Sequence, residues 1–145
     1  MNDQLALFRH KTLIQIRFKD VDSMGHVNNS NHFTYFELAR MNYFREVIGE
    51  QIDWSKQGII LAHMEIDYKI PILLDDEIWV YSKINRFGSK SFEVDYIIVK
   101  MQSGSAVICA TGKSVQVCFN YEINQTIPVP STWREKAEQF EGLIA

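Results

Sequence analysis

Hydrophobic and polar positions divide the chain into one strand, one long helix and a run of further strands. In TLIQIRF, Thr12 to Phe18, the apolar residues Ile14, Ile16 and Phe18 alternate with Gln15 and Arg17, the period-two pattern of a half-buried strand. A polar connection containing a glycine, KDVDSMGHVNNS, follows. Beyond it Phe33, Phe36, Ala39, Tyr43 and Val47 recur at intervals of three and four, with Ser30 or Asn29 as the expected N-cap and Gly49 as the stop. Several of these positions are aromatic, which is too much apolar area for a helix at the edge of a domain.

After a stretch containing Trp54, alternation returns. GIILAHMEIDYK places Ile60, Ala62, Met64, Ile66 and Tyr68 on one face, and Pro71 with Asp75-Asp76 marks a turn. EIWVYSKINRF and SFEVDYIIVKM are separated by Gly88-Ser89, and Ser103-Gly104 leads into SAVICATGKSVQVCF. The last segment, PSTWREKAEQFEG, reads as a short surface helix behind Pro130. One strand, one apolar helix and four strands joined by short turns predict an α+β fold whose antiparallel sheet curls around the helix. Periodicity supports that element order; the wrapping needs a further argument.

Composition narrows the picture. With 145 residues, 46% hydrophobic and 23% charged, the chain fits a single folded domain spanning 1–145 that needs no disulfide or metal staples. A net charge of −3 argues against a general nucleic-acid binder, so an anionic ligand must be held by local positive groups. The N-terminal residues lack the layout of a secretory signal and no apolar run approaches a membrane span, which predicts a cytoplasmic protein. Cys109 and Cys118 lack metal or redox spacing and read as reduced packing residues; the two glycosylation sequons, at Asn28 and Asn124, are then without effect.

Chemistry is concentrated between the first strand and the helix, in Asp20, Asp22, Gly25, His26, Asn28 and Asn29. The opening DVDSMG begins like a calcium loop, but Met24 stands where the fifth position needs an oxygen ligand and Asn31 where the twelfth needs a bidentate Glu. Asp, Ser, Gly and Asn also make turns and caps, which accounts for part of the cluster. The remaining reading is a carboxylate beside a helix N-terminus, whose free N–H groups stabilise an oxygen that gains negative charge. Thioester hydrolysis needs both parts: a carboxylate that attacks or deprotonates water, and donors for the oxyanion. His26, Asn28 and Asn29 could add hydrogen bonds to carbonyl, water or carboxylate.

RFKDVDSMGHVNNSNHFTYFELAR resembles the signature of the 4-hydroxybenzoyl-CoA thioesterase-like branch of the hotdog superfamily, and Asp22 to Asn29 also resembles the motif of acyl-carrier-protein thioesterases. The resemblance implies a hotdog fold, about five antiparallel strands around one helix, and hydrolysis of an acyl thioester. It assigns Asp22 as the catalytic carboxylate, Asp20 as a residue that shapes the loop, and the N–H near Asn29 as the group that polarises the carbonyl. His-Val-Asn-Asn replaces the apolar and aromatic residues of the hydroxybenzoyl branch, which disfavours an aroyl substrate, favours aliphatic acyl groups and leaves His26 between a second catalytic role and a loop-stabilising one. No cofactor is implied: coenzyme A is part of the substrate and then a product. The family's architecture implies a homodimer or homotetramer, with a site between subunits.

In the turn after the third strand, Arg86, Ser89 and Lys90 match in chemistry the region that meets the phosphates or pantetheine arm of coenzyme A, while a solvated hairpin is the plainer alternative. Glu37 is a candidate hydrogen-bonding group behind the site or a solvated carboxylate. Phe33, Tyr35 and Phe36 are candidate acyl-chain contacts or core. His63 reads as interface packing, and His10 and His32 have no ligand spacing for zinc. No Gly-x-Ser-x-Gly elbow is present. Two alternatives stay open: a thioesterase acting on acyl-carrier-protein thioesters, and a non-catalytic acyl-CoA-binding module.

Overall fold

In the computed structural model, which describes residues 3–143, the strands are β1 His10–Ile14, β2 Gly58–Tyr68, β3 Ile78–Phe87, β4 Ser91–Gln102, β5 Ser105–Asn120 and a short β6 Gln125–Thr126. The long helix is α1 Asn31–Tyr43, continued by a wider π turn over Phe44–Ile48, and the second helix is α2 Ser131–Glu141. The sheet is antiparallel throughout in the order β1-β3-β4-β5-β2, with β6 attached to β5. The expected element order and the sheet curled around a helix are both present.

The helix is held by an aromatic stripe. Tyr35, Phe36, Ala39 and Tyr43 are all buried, as are Phe44 and Ile48 in the π turn. Phe36 lies flat on Tyr96 of β4, with ring centroids 4.4 Å apart and 12° between planes. Beneath it β5 carries Gly112, where a Cβ would come within 2.5 Å of the Phe36 ring, so only glycine allows the helix to approach the sheet this closely. Full burial of a ring such as Phe36 contributes about 2–3 kcal/mol, so this contact alone anchors the middle of the helix. Gly49, at φ 66°, ends the π turn and returns its N–H to the Phe44 carbonyl at 2.9 Å, as its place in the sequence suggests.

Beyond β2, where a bulge between Leu61 and His63 leaves Ile60 and Ala62 exposed and turns Ile59, Met64 and Ile66 to the core, three elements differ from expectation. The first strand runs from His10 to Ile14, two residues earlier at its start and four at its end, because β3 begins at the partner of Ile14, Ile78, and because Asp20 draws the chain into a 3-10 turn over Phe18–Asp20. Phe18 is consequently 85% exposed and faces solvent, while Ile16 still packs against the core. The helix N-cap is also different: Ser30 makes no side-chain cap, and the Asn28 carboxamide oxygen accepts from the Ser30 N–H and hydroxyl, at 3.0 and 2.8 Å. The third is the C-terminal helix. It is more than a surface element: Ser131, Thr132, Glu135 and Gln139 stay exposed, but Trp133 and Ala137 are buried, Trp133 against Phe44, and close the far end of α1.

Cys109 and Cys118 are buried and free, and burial pushes their thiols up to about 11 and about 12, which keeps them protonated and inert.

Candidate active site

The loop from Asp20 to Ser30 is built around Asp20. Its carboxylate, 1% exposed, accepts from the Arg17 N–H at 3.1 Å, from Arg17 Nε and Nη2 at 3.2 and 2.9 Å, and from the Tyr35 hydroxyl at 2.8 Å. Its carbonyl accepts from the Asn28 N–H at 2.8 Å and from Asn31 Nδ2 at 3.0 Å. Burial alone would raise the Asp20 pKa; the Arg17 N–H, the Tyr35 hydroxyl and the Arg17 guanidinium together outweigh it and hold the carboxyl below its ordinary value. Burial and the bond to Asp20 push the Tyr35 phenol well above its usual range, so it stays a donor. Asp20 is thus the structural anchor that ties the end of the first strand to the first turn of the helix.

Asp22 has a different setting. A short antiparallel bridge, Val21 to Val27, closes the loop: the Asp22 N–H donates to the His26 carbonyl at 2.9 Å and the Asp22 carbonyl accepts from Gly25 at 3.0 Å. Gly25 turns there at φ 81°, a conformation that favours glycine. One carboxylate oxygen, Oδ1, accepts from the Met24 N–H at 2.9 Å; the other accepts nothing among the described residues. Asp22 is half-buried, so one oxygen remains available for a proton or for carbon.

At the start of the helix the Asn29 N–H finds no acceptor among the described residues, while the Asn29 carbonyl accepts from the Tyr68 hydroxyl at 2.9 Å. This N–H is one of the donors that a helix start leaves unsatisfied and that its dipole makes attractive to negative charge. Beside it a cavity of about 210 Å³ is walled by His26, Asn29, His32, Tyr68 and the 69–72 segment leading away from β2. His26 reaches this wall because it bridges to Leu73, with Val27 donating to the Ile72 carbonyl at 2.7 Å. The loop therefore brings together Asp22, His26, Asn28 and Asn29, with the Asn28 side chain spent on capping the helix.

The other candidates lie apart. Arg86, Ser89 and Lys90 sit at the opposite end of β3 from Ile78, roughly 30 Å from the loop at strand spacing. There Ser89 accepts from the Val129 N–H at 3.0 Å and Lys90 reaches Thr126 at 3.4 Å. One chain does not bring them to Asp22. Glu37 is exposed, 3.9 Å from Arg40. Tyr35 and Phe36 belong to the core, which leaves Phe33, partly exposed, as the one of the three aromatics facing outward. His63 lies in the exposed part of β2 beside a bulge in its pairing with β5. Sequence reasoning missed Tyr68 and His32 as walls of the cavity; His32 stands three residues after Asn29, one helical turn, and that spacing is the only local signal for it.

Among known proteins, the model of the thioesterase-like superfamily matches residues 16–137. The long-chain acyl-CoA thioesterase FadM of Escherichia coli is 24% identical over 133 residues, 90% of this chain and 98% of its own. A thioesterase from Thermus thermophilus, solved with coenzyme A and zinc, is 32% identical with a TM-score of 0.77, covering 93% of this chain and 96% of its own. The structure of a 4-hydroxybenzoyl-CoA thioesterase variant with 4-hydroxybenzoyl-CoA is 17% identical with a TM-score of 0.80, covering 88% and 97%, and shares the fold. Among the described residues no group of three or more His, Cys, Asp or Glu side chains converges as zinc ligands do. With a matched family model over most of its length and a sheet wrapped around a single long helix, the chain belongs to the thioesterase-like superfamily and is a thioester hydrolase of the hotdog fold.

Proposed function

We propose that this chain hydrolyses acyl-CoA thioesters of aliphatic acids, with Asp22 as general base or nucleophile and the Asn29 N–H holding the carbonyl oxygen. One observation carries the reading: a single loop presents at Asp22 a carboxylate oxygen with no partner and, at the helix start, an N–H with no acceptor at Asn29, a residue on the wall of a cavity that His26 also lines. Polarised by Asn29, the carbonyl carbon takes an oxygen, either from water as Asp22 removes its proton or from Asp22 itself, with water then releasing the acid. The carbon–sulfur bond breaks, the electron pair leaves on sulfur and a proton restores the coenzyme A thiol. His26, on the cavity wall, is placed to hydrogen-bond the substrate or water.

The site is completed by a second copy in this reading. A cavity of about 210 Å³ is smaller than the usual range for small-molecule sites. The strand that ends in it, β2, is eleven residues long, and no described strand pairs along its outer edge. Leu61, half exposed, lies on that strand. Edge pairing of β2 with a second copy covers this strand and offers a route for Arg86, Ser89 and Lys90 of one subunit to approach coenzyme A bound at the other. Sedimentation giving only monomer at micromolar concentration would remove this part.

The direct test is thiol release across saturated acyl-CoAs of increasing length, with the same acyl groups on carrier protein in parallel. Higher kcat/KM on acyl-CoA is expected. A preference for the carrier protein would move the substrate to the acyl-carrier-protein class, and stoichiometric binding with no thiol release would leave a binding module.

A further inference from the structure

His32 takes no part in the steps above, yet its surroundings differ from those of a core histidine. It is 3% exposed, and its Nδ1 is buried with no hydrogen-bond partner. An unmatched buried polar atom costs stability, a cost that a phenylalanine in the same space would avoid. Burial lowers the pKa of the ring below its ordinary value, offset only in part by the nearby carbonyls of Asn28 and Asn29. The imidazole is therefore neutral at pH 7, with one nitrogen carrying hydrogen and the other a lone pair. Placing the proton on Nδ1, where no acceptor is met at hydrogen-bonding geometry, leaves the lone pair of Nε2, which no described residue bonds, as the unused acceptor.

The ring is also braced. It meets Tyr68 edge-on, centroids 4.9 Å apart at 80°, and Tyr68 in turn bonds the carbonyl of Asn29. The same Asn29 offers the free N–H, and His32 and Asn29 share one cavity wall with His26. A neutral acceptor is thus fixed one helical turn from the donor that holds the carbonyl oxygen.

Resting on the thioesterase reading, we propose that His32 is a further catalytic residue, its Nε2 accepting a hydrogen bond from the attacking water and aiming the water oxygen at the carbonyl held by Asn29. His32 neither gains nor loses a proton overall. One O–H of the water points to His32 and the other proton passes to Asp22; the carbon–oxygen bond forms, the carbon–sulfur bond breaks, and the thiolate collects the proton from Asp22.

The test compares His32→Phe, which keeps a flat ring and removes the acceptor, with His32→Gln, whose amide oxygen returns an acceptor near the place of Nε2. Steady-state thiol release and thermal melting are measured on the full chain with an acyl-CoA that the parent hydrolyses. His32→Phe should lower kcat by on the order of 10–100-fold, with KM within about threefold and an unchanged or higher Tm, and His32→Gln should recover at least about a third of the parent kcat. Parent-like kcat in His32→Phe would reduce His32 to a packing ring. Equal loss in both variants, with or without a lower Tm, would overturn the acceptor role. Either result alongside an inactive Asp22→Asn leaves the thioesterase reading standing, whereas a parent that releases no thiol from any acyl-CoA removes both.

Discussion

The two ends of helix α1 are treated in opposite ways. At its C-terminal end the chain continues into the π turn, Phe44 packs against Trp133 with centroids 5.1 Å apart, Trp133 Nε1 donates to Glu50 at 3.1 Å, and the Tyr43 hydroxyl donates to Glu141 at 2.7 Å. Aromatic area and polar groups are both matched there. At the N-terminal end Ser30 provides no side-chain cap, the Asn29 N–H has no acceptor among the described residues, and Phe18 and Met24 stand 85% and 76% exposed. Closing an end lets burial contribute stability; leaving donors and apolar surface open costs stability and keeps them free for a ligand. One helix carries both tasks because α2 is spent on only one of its ends.

The contrast can be broken most severely from the closed end. Trp133→Ala should cost about 3–5 kcal/mol, read as a lower midpoint in urea, while the kcat of the folded fraction stays within about twofold. A matching fall in kcat would mean that the two ends are not separate.

From the open end, Asp22→Asn should lower kcat by on the order of 10² or more with Tm unchanged, because the carboxamide oxygen can still accept from the Met24 N–H. Near-parent turnover on every acyl-CoA that the parent hydrolyses would remove Asp22 from the chemistry. Asp20→Asn, only two residues away, should act on stability instead: it leaves a buried site built for an anion and costs about 1–3 kcal/mol, with the charge contribution reduced because the Arg17 side chain is half in solvent. The pH dependence has a definite sign. The Asp20 pKa is lowered below 3.8 in the fold, so its contribution is complete above that value and is lost as pH falls through the folded pKa. Acid unfolding of the parent should therefore steepen below about pH 4, and Asp20→Asn should flatten that limb; an unaltered limb would deny Asp20 its anchoring role.

The smallest effect is expected at the distant turn. Replacing Arg86 and Lys90 together by Ala should raise KM for acyl-CoA several-fold, with little change for substrates truncated to pantetheine, since exposed charges on phosphate contribute to binding more than to chemistry. An equal change for both substrate types would remove the phosphate contact and, with it, one reason for a second copy at the site.

Much of this was legible in the chain. Alternation marked β3 to β5 and the second half of β2, where Met64 and Ile66 pack on the core, and the three-and-four spacing marked α1 because Phe36, Ala39 and Tyr43 share the buried side while Phe33 stands outward. Phe18 misled for a physical reason: it continues the alternation of Ile14 and Ile16, but the hydrogen bonds from Arg17 to Asp20 curl the backbone before Phe18 can turn inward. The burial of Trp133 was hidden because α2 brings only a few apolar residues, which is also the pattern of a surface helix.

Local sequence determined the element order, the glycine turns at Gly25 and Gly49 and the concentration of acids, amides and imidazole in one loop, because backbone preferences and period are properties of neighbours in the chain. The tertiary structure alone decided which aspartate is anchored and which is open, since that depends on Tyr35 reaching Asp20 from fifteen residues away. It also decided that His32 meets Tyr68 across 36 positions, and that Arg86 and Lys90 stand a full strand length from Asp22. Burial and hydrogen-bond partnership are set by contacts distant in sequence, and they separate residues of the same type into anchored groups and open ones.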